Sequence, residues 1–256
     1  MIITLGSIKG APGVTSWSVL LASAWPLAHA PSRIIVEADP DGGALAGRYG
    51  LGVEPGVVSL MAATRRPGSG LIAIEHHARA LNQGLWVVPG PESREQARAV
   101  WGSGAGALAD HLAADHRLWI VDVGRLDFGG PVAPLVERSA LCVLVTNGHA
   151  EDLMRLPTSI DPLSERGVPV GVLVTGAMPY KVTEIVEFAG TPHVWHVART
   201  EDLLAVAAGS LDRHRRFRRS WLWRSALDVA ARMAEIVAAS TMPAAAPANV
   251  QMRGAS

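Results

Sequence analysis

Six short apolar runs, Ile2–Leu5, Arg33–Val36, Leu85–Val88, Leu118–Val121, Ala140–Val145 and Pro169–Val174, alternate along the chain with segments of helical length and composition. The main helical segments are Ser16–Ala28, Glu92–Ala114, Glu151–Glu165 and Val182–Ala189. Because the apolar runs are continuous instead of alternating with polar residues, each strand must bury both faces, as in a parallel sheet with helices above and below. The pattern therefore predicts an α/β fold with a doubly wound, mostly parallel sheet and helices on both faces. No internal repeat interrupts it, which argues against solenoids and propellers. A single domain is expected over residues 1–239, followed at 240–256 by a Pro/Ala-rich stretch, STMPAAAPANVQMRGAS, whose composition predicts disorder.

Hydrophobic residues make up 49% of the chain and charged residues 18%, enough apolar material for a full core. Lys+Arg and Asp+Glu both number 23, so no global basic field exists and any polyanion-binding surface must be local. The single cysteine, Cys142, excludes an intramolecular disulfide framework and any CxxC metal knuckle. It lies in the apolar run ALCVLVT and reads as a buried, inert thiol, and a reducing, cytoplasmic setting follows. The stretch Trp17–Ala30 imitates a signal peptide, but an apolar run and a Gly/Pro loop precede it where a basic leader would stand, so it reads as a first helix. Trp17, Trp86, Trp119 and Trp195 fall in apolar runs and read as core rather than as base-stacking platforms.

The most informative local feature follows the first strand. Gly6-Ser7-Ile8-Lys9-Gly10-Ala11-Pro12-Gly13-Val14-Thr15-Ser16 is a glycine-rich loop running into a helix, the setting in which backbone N–H groups surround a phosphate. Of the 23 basic side chains only Lys9 and Lys181 are lysines, so a lysine inside this loop carries information. The generic phosphate loop, GxxxxGK[ST], fails here at its most diagnostic position, where Val14 replaces the lysine.

The loop instead resembles the deviant Walker A motif of the ParA/MinD superfamily, KGGxGK[ST][ST], with Lys9 at the signature lysine that begins the motif. Further similarities follow in family order. IIVEADPDGG at Ile34–Gly43 is similar to the switch segment, GLWVVPGP at Gly84–Pro91 to the intervening strand, and LWIVDVG at Leu118–Gly124 to the second acidic strand. The resemblance implies a P-loop NTPase-like fold and a cofactor of ATP with Mg²⁺. Gly10, Ala11, Pro12, Gly13, Val14, Thr15 and Ser16 would line the phosphates, with Thr15 and Asp122 toward the metal, Asp39 at the attacking water and Lys9 reaching a dimer partner's phosphates. Glu37 stands where the family often has another aspartate. The resemblance further implies a homodimer, a protein partner, and nucleotide-controlled affinity for non-specific DNA or an anionic membrane, with a nucleoid- or membrane-associated location.

Val14 is the main departure. Losing a charge-assisted phosphate contact costs about 1.5–3 kcal/mol, and losing a transition-state donor costs roughly 10²–10³ in rate, so binding can survive while hydrolysis becomes weak or absent. The alternative is a catalytically degenerate pseudo-ATPase acting as a scaffold. An enzyme of the related amidotransferase or dethiobiotin-synthetase type lacks support, since Cys142 has no paired histidine. Adenine preference is also open, because Thr175-Gly176 stands where family members often place an asparagine. Finally, Leu211–Arg224 (LDRHRRFRRSWLWR) is the densest basic cluster. Arg213, Arg215, Arg216, Arg218 and Arg219 are its candidate polyanion surface, with Phe217 and Trp221–Trp223 as a membrane-inserting patch if the polyanion is lipid. A solvated basic helix face explains the same residues.

Overall fold

The computed structural model describes residues 1–9, 13–65, 72–82, 84–197, 202–207 and 217–241. Its strands are β1 (Ile2–Ser7), β2 (Arg33–Glu37), β3 (Arg79–Asn82), β4 (Leu85–Val88), β5 (Leu118–Arg125), β6 (Leu141–Asn147), β7 (Val170–Thr175) and β8 (Val194–Val197). They form one 8-stranded sheet in the order β3-β4-β2-β5-β1-β6-β7-β8, parallel throughout except for the antiparallel pair β3 and β4. This is the expected doubly wound α/β architecture.

Alternate side chains of each central strand enter two cores. On one face Ile3, Leu5, Ile35, Ile120 and Val143 pack against helices α1 (Val14–Ala24) and α10 (Trp221–Thr241) and the short α9 (Asp202–Ala207). On the other, Ile2, Ile34, Trp119, Val121 and Leu144 pack against α3 (Val57–Thr64), α4 (Arg94–Ala114), α5 (Ala133–Glu137), α7 (Leu156–Glu165) and α8 (Val182–Ala189). Cys142 is fully buried in β6, and burial pushes its thiol up to about 11, as expected of an inert core thiol.

Several boundaries differ from the sequence expectation for local reasons. α1 stops at Ala24 instead of Ala28, because Trp25 precedes Pro26 and takes an extended conformation. The expected helix Glu151–Glu165 is two helices, α6 (Ala150–Leu153) and α7, with the break at Met154–Arg155 and a proline in the first turn of α7. α10 begins at Trp221 because the Ser220 hydroxyl accepts the Trp223 N–H at 3.1 Å, and it runs through Ser240 and Thr241, the first two residues of the expected tail. The rest of that tail lies outside the described residues. β3 is a short edge strand with a polar, half-exposed pattern and α2 (Leu45–Tyr49) is a single turn, so neither carries an apolar run that periodicity detects, whereas β8 buries Val194, Trp195 and Val197 but is only 4 residues long and interrupted by exposed His196.

The topology sets where a ligand can bind. From β1 the chain moves first to the β2 and β4 side and returns through β5, then crosses to β6 on the other side. The order therefore reverses around β1, and a crevice opens at the carboxyl ends of β5, β1 and β6.

Candidate functional site

The turn from β1 into α1 lies in that crevice. Gly13 caps α1 with φ +86°, a left-handed conformation that glycine adopts without strain. Its carbonyl accepts the Trp17 N–H at 2.9 Å, which starts the helix ladder. No side chain caps α1 and its first turn holds no acidic residue, so its leading N–H groups have no side-chain cap. Gly10, Ala11 and Pro12 lie outside the described residues. Val14 is buried with Leu203 and Val206 in the α1-side core, so it offers a ligand its backbone only.

Thr15 and Asp122, separated by more than a hundred residues in sequence, meet here. The register sets Asp122 opposite both Leu5 of β1 and Glu37 of β2, at the strand ends. Its carboxylate accepts the Gly124 N–H at 3.0 Å, and the Thr15 hydroxyl lies near enough to favour its charged form. Burial raises its pKa to about 7; those two groups pull it back, and the charges of Glu37 and Asp39 push it further up.

Glu37 and Asp39 flank it with different local duties. The Glu37 Oε1 accepts the N–H groups of Ala44 at 2.6 Å and Leu45 at 2.7 Å, and its Oε2 accepts that of Gly90 at 3.1 Å. It therefore pins the Pro40–Ala44 loop and the start of α2 to the end of β4. Burial raises its pKa, those three N–H groups and the Arg48 charge opposing. Asp39 closes an Asx turn by accepting the Asp41 N–H at 2.8 Å, and burial is the main cause of its raised pKa. Its carboxylate lies against the Cα of Gly124, where φ is +61° and any Cβ would overlap it. A cleft of 710 Å³ opens beside it, with Arg98, Arg125 and Phe128 in its walls.

Lys9 pairs with the start of α6 in this single chain. Its Nζ lies 3.4 Å from Glu151 Oε1 and 3.7 Å from Asp152 Oδ1, at the start of α6. Asp152 is in turn reached by the Asn147 amide at 3.5 Å, at the end of β6. Sequence reading does not reach Glu151 and Asp152, because their relation to Lys9 exists only once β6 lies beside β1.

Arg213, Arg215 and Arg216 lie outside the described residues, whereas Arg218 and Arg219 are exposed on a 3-10 turn, Phe217–Arg219. Arg218 sits over the Trp223 ring at 5.7 Å. The expected membrane-inserting patch needs correction. Phe217 is 6% exposed and Leu222 is 0% exposed, both inside the core, which leaves Trp221 as the strongly exposed aromatic of the set. Among the described residues no helix is long and apolar enough to cross a membrane.

No protein-family model matches this chain, and no curated protein matches it in sequence. Solved structures do. A ParA-family ATPase from Chlorobium tepidum is similar with a TM-score of 0.73 at 18% identity, over 90% of this chain and 98% of that one. MinD from Pyrococcus horikoshii, complexed with Mg-ADP, gives 0.72 at 14% identity over 91% of this chain and 95% of that one. A plasmid partition protein from Borrelia burgdorferi bound to AMPPNP gives 0.66 at 12% identity over 91% and 98%. This chain therefore has the fold of the ParA and MinD ATPases.

The raised pKa of Asp122 has a consequence for stability. The folded state holds its proton above the pH at which the unfolded state releases it, so folding loses free energy as pH rises from about 4 to about 7 and no more beyond that. In Mg²⁺-free buffer Asp122→Asn is therefore expected to stabilise the protein near pH 8 by a few kcal/mol and to leave it unchanged near pH 4. Urea denaturation at the two pH values checks this, and equal stability at pH 8 contradicts it.

Proposed function

We propose that this chain is a ParA/MinD-like nucleotide-binding protein. It would hold ATP and Mg²⁺ at the β1–α1 turn, dimerise across the nucleotide and switch its affinity for a protein partner and a surface, positioning DNA or a cell-envelope assembly with weak or absent hydrolysis. The observation that carries the reading is the meeting of Thr15 and Asp122 at the mouth of an uncapped helix start, in the fold of nucleotide-bound relatives.

The residues suit the cofactor. A hydroxyl and a carboxylate oxygen are the hard donors that Mg²⁺ takes, one or two from the protein with phosphates and water completing the shell. Thr15 and Asp122 would hold the ion, which would neutralise phosphate charge. Gly13, Val14, Thr15 and Ser16 would offer backbone N–H groups to the phosphates, together with Gly10, Ala11 and Pro12, where proline contributes none. Asp39 would orient water from its Asx turn. Lys9 would leave Glu151 and Asp152 to reach the partner subunit's nucleotide. The burial of Val14 in the core favours a second reading, a scaffold of the same fold whose ATPase has decayed.

Calorimetry with Mg-ATP and Mg-ADP separates the two. Binding with very slow turnover is expected, and no binding at about millimolar nucleotide leaves the scaffold. Because the ion needs Asp122 ionised, the gain in affinity that Mg²⁺ brings should shrink as pH falls below about 7, the level to which burial raises that carboxyl. A gain that does not change with pH removes Asp122 from the ion.

Dimer formation is tested on Lys9. With nucleotide bound, Lys9→Ala should lower the dimer fraction in sedimentation while leaving nucleotide binding by the monomer nearly intact. An unchanged dimer would mean that the ion pair to Glu151 and Asp152 is all that Lys9 does.

Polyanion binding, where present, would use Arg213, Arg215, Arg216, Arg218 and Arg219. Affinity for duplex DNA should fall with salt at a log–log slope of roughly −0.9 per phosphate contacted. Binding to anionic liposomes through exposed Trp221 would keep an apolar remainder at high salt. Arg218→Ala/Arg219→Ala binding either surface as tightly as the wild type would leave these two arginines as a solvated face.

A further inference from the structure

Resting on the nucleotide reading above, we propose that Arg48 is the phosphate-binding cation of this site, supplied from α2 in place of the lysine that the loop lacks. The Arg48 Nη1 donates to the Ser16 hydroxyl at 3.4 Å, which brings the guanidinium from α2 onto the first turn of α1, one residue beyond Thr15. Among the described residues no other cation hydrogen-bonds to this turn. Lys9 is held by Glu151 and Asp152, and Arg94 and Arg98 are both held by Asp41.

The guanidinium is placed to spare donors for a ligand. Arginine carries five N–H donors in a fixed fork, and among the described residues only the long contact to Ser16 uses one. The buried acid Glu37, whose charge interacts with Arg48, has its two oxygens filled by the N–H groups of Ala44, Leu45 and Gly90, so it acts on Arg48 through its field and not as an ion-pair partner. Arg48 is half-buried, which restricts it while leaving part of it open to solvent. A fork of this kind suits the paired oxygens of a diphosphate better than a point charge does.

The anchoring of α2 explains how a residue so far from the loop can serve it. Glu37 fixes the N-terminal turn of α2, the Tyr49 hydroxyl donates to the Val206 carbonyl at 3.3 Å, and Arg48 lies between these two fixed points. Val14 withdraws into the core, and the cation enters from the neighbouring element.

The test is calorimetry of the full chain with Mg-ADP as the probe, for the wild type, Arg48→Gln and Arg48→Lys, with melting curves in the absence of nucleotide. Loss of a charge-assisted contact should weaken Mg-ADP binding in Arg48→Gln on the order of ten- to a hundredfold. Arg48→Lys, which keeps the charge and loses the fork, should fall between. Wild-type affinity should also decline more steeply with salt than that of Arg48→Gln, a difference that a purely structural role for Arg48 would not produce. A wild type that binds while Arg48→Gln binds within about twofold overturns the role of Arg48 and leaves the nucleotide reading standing. A wild type that binds no Mg-ADP overturns both. Should Arg48→Gln fail to fold, Arg48→Lys carries the test, and wild-type affinity with wild-type salt dependence in that variant overturns the proposal.

Discussion

Three carboxylates, Glu37, Asp39 and Asp122, converge at the ends of the adjacent strands β2 and β5, and holding them there is the constraint around which the crevice is built. Like charges brought together in a buried place resist ionisation, and each of the three is raised for that reason or by burial itself. The fold answers with backbone donors. Glu37 takes three N–H groups, Asp39 takes one within its own turn, and Asp122 takes one from Gly124 with the Thr15 hydroxyl nearby favouring its charged form. Glu37 is thereby satisfied and structural. Asp122 is left with its ionisation poised near neutral pH, which is the condition of a group that gains from a cation.

The same strand ends explain how much of the molecule was legible in the sequence. Continuous Val/Ile/Leu runs exist because central parallel strands bury both faces, so six of the strands and the main helices could be read directly. β3 could not, since this edge strand is half-exposed and loses the run that marks it, and β8 could not, since it is only 4 residues long and His196 interrupts its apolar side chains. Asp39 and Asp122 were legible as loop and strand positions that the fold sets at the crevice, whereas Thr15 was reached only through the resemblance of its segment to the deviant Walker A motif. Arg48 was not, because a lone arginine on a one-turn helix has no local signature and gains meaning only when α2 is fixed beside α1. Phe217 and Leu222 were misread for a related reason. Their basic neighbours suggested a surface, yet the core behind α10 takes both side chains.

Lys9 shows how a sequence match and a geometry can differ without conflict. The motif places it at the start of the loop, whereas in the single chain it turns to Glu151 and Asp152 at α6, with Asn147 linking Asp152 to the end of β6. The pair is more than a third exposed on the lysine side, so its net strength is that of a surface ion pair, about 0–1 kcal/mol. An anion offered by a second subunit competes with it at little cost. The acids at α6 therefore keep the lysine near the crevice without fixing it there.

Charge balance then decides what a triphosphate would meet. The helix start and its N–H groups supply partial positive charge, and Mg²⁺ on Thr15 and Asp122 would supply most of the rest. What the turn itself lacks is a full charge on the leaving-group side, since Val14 has gone into the core and Lys9 faces α6. A cation that enters from α2 beside Ser16 would neutralise the part of a phosphate chain lying along the first helical turn, so it would add to binding in the ground state. It does not replace a lysine that follows the β–γ bridge through the transition state, because interactions equal in both states lower no barrier. On the proposed reading, a site arranged in this way would retain nucleotide and turn it over slowly, the balance that a switch held in one state for long periods requires.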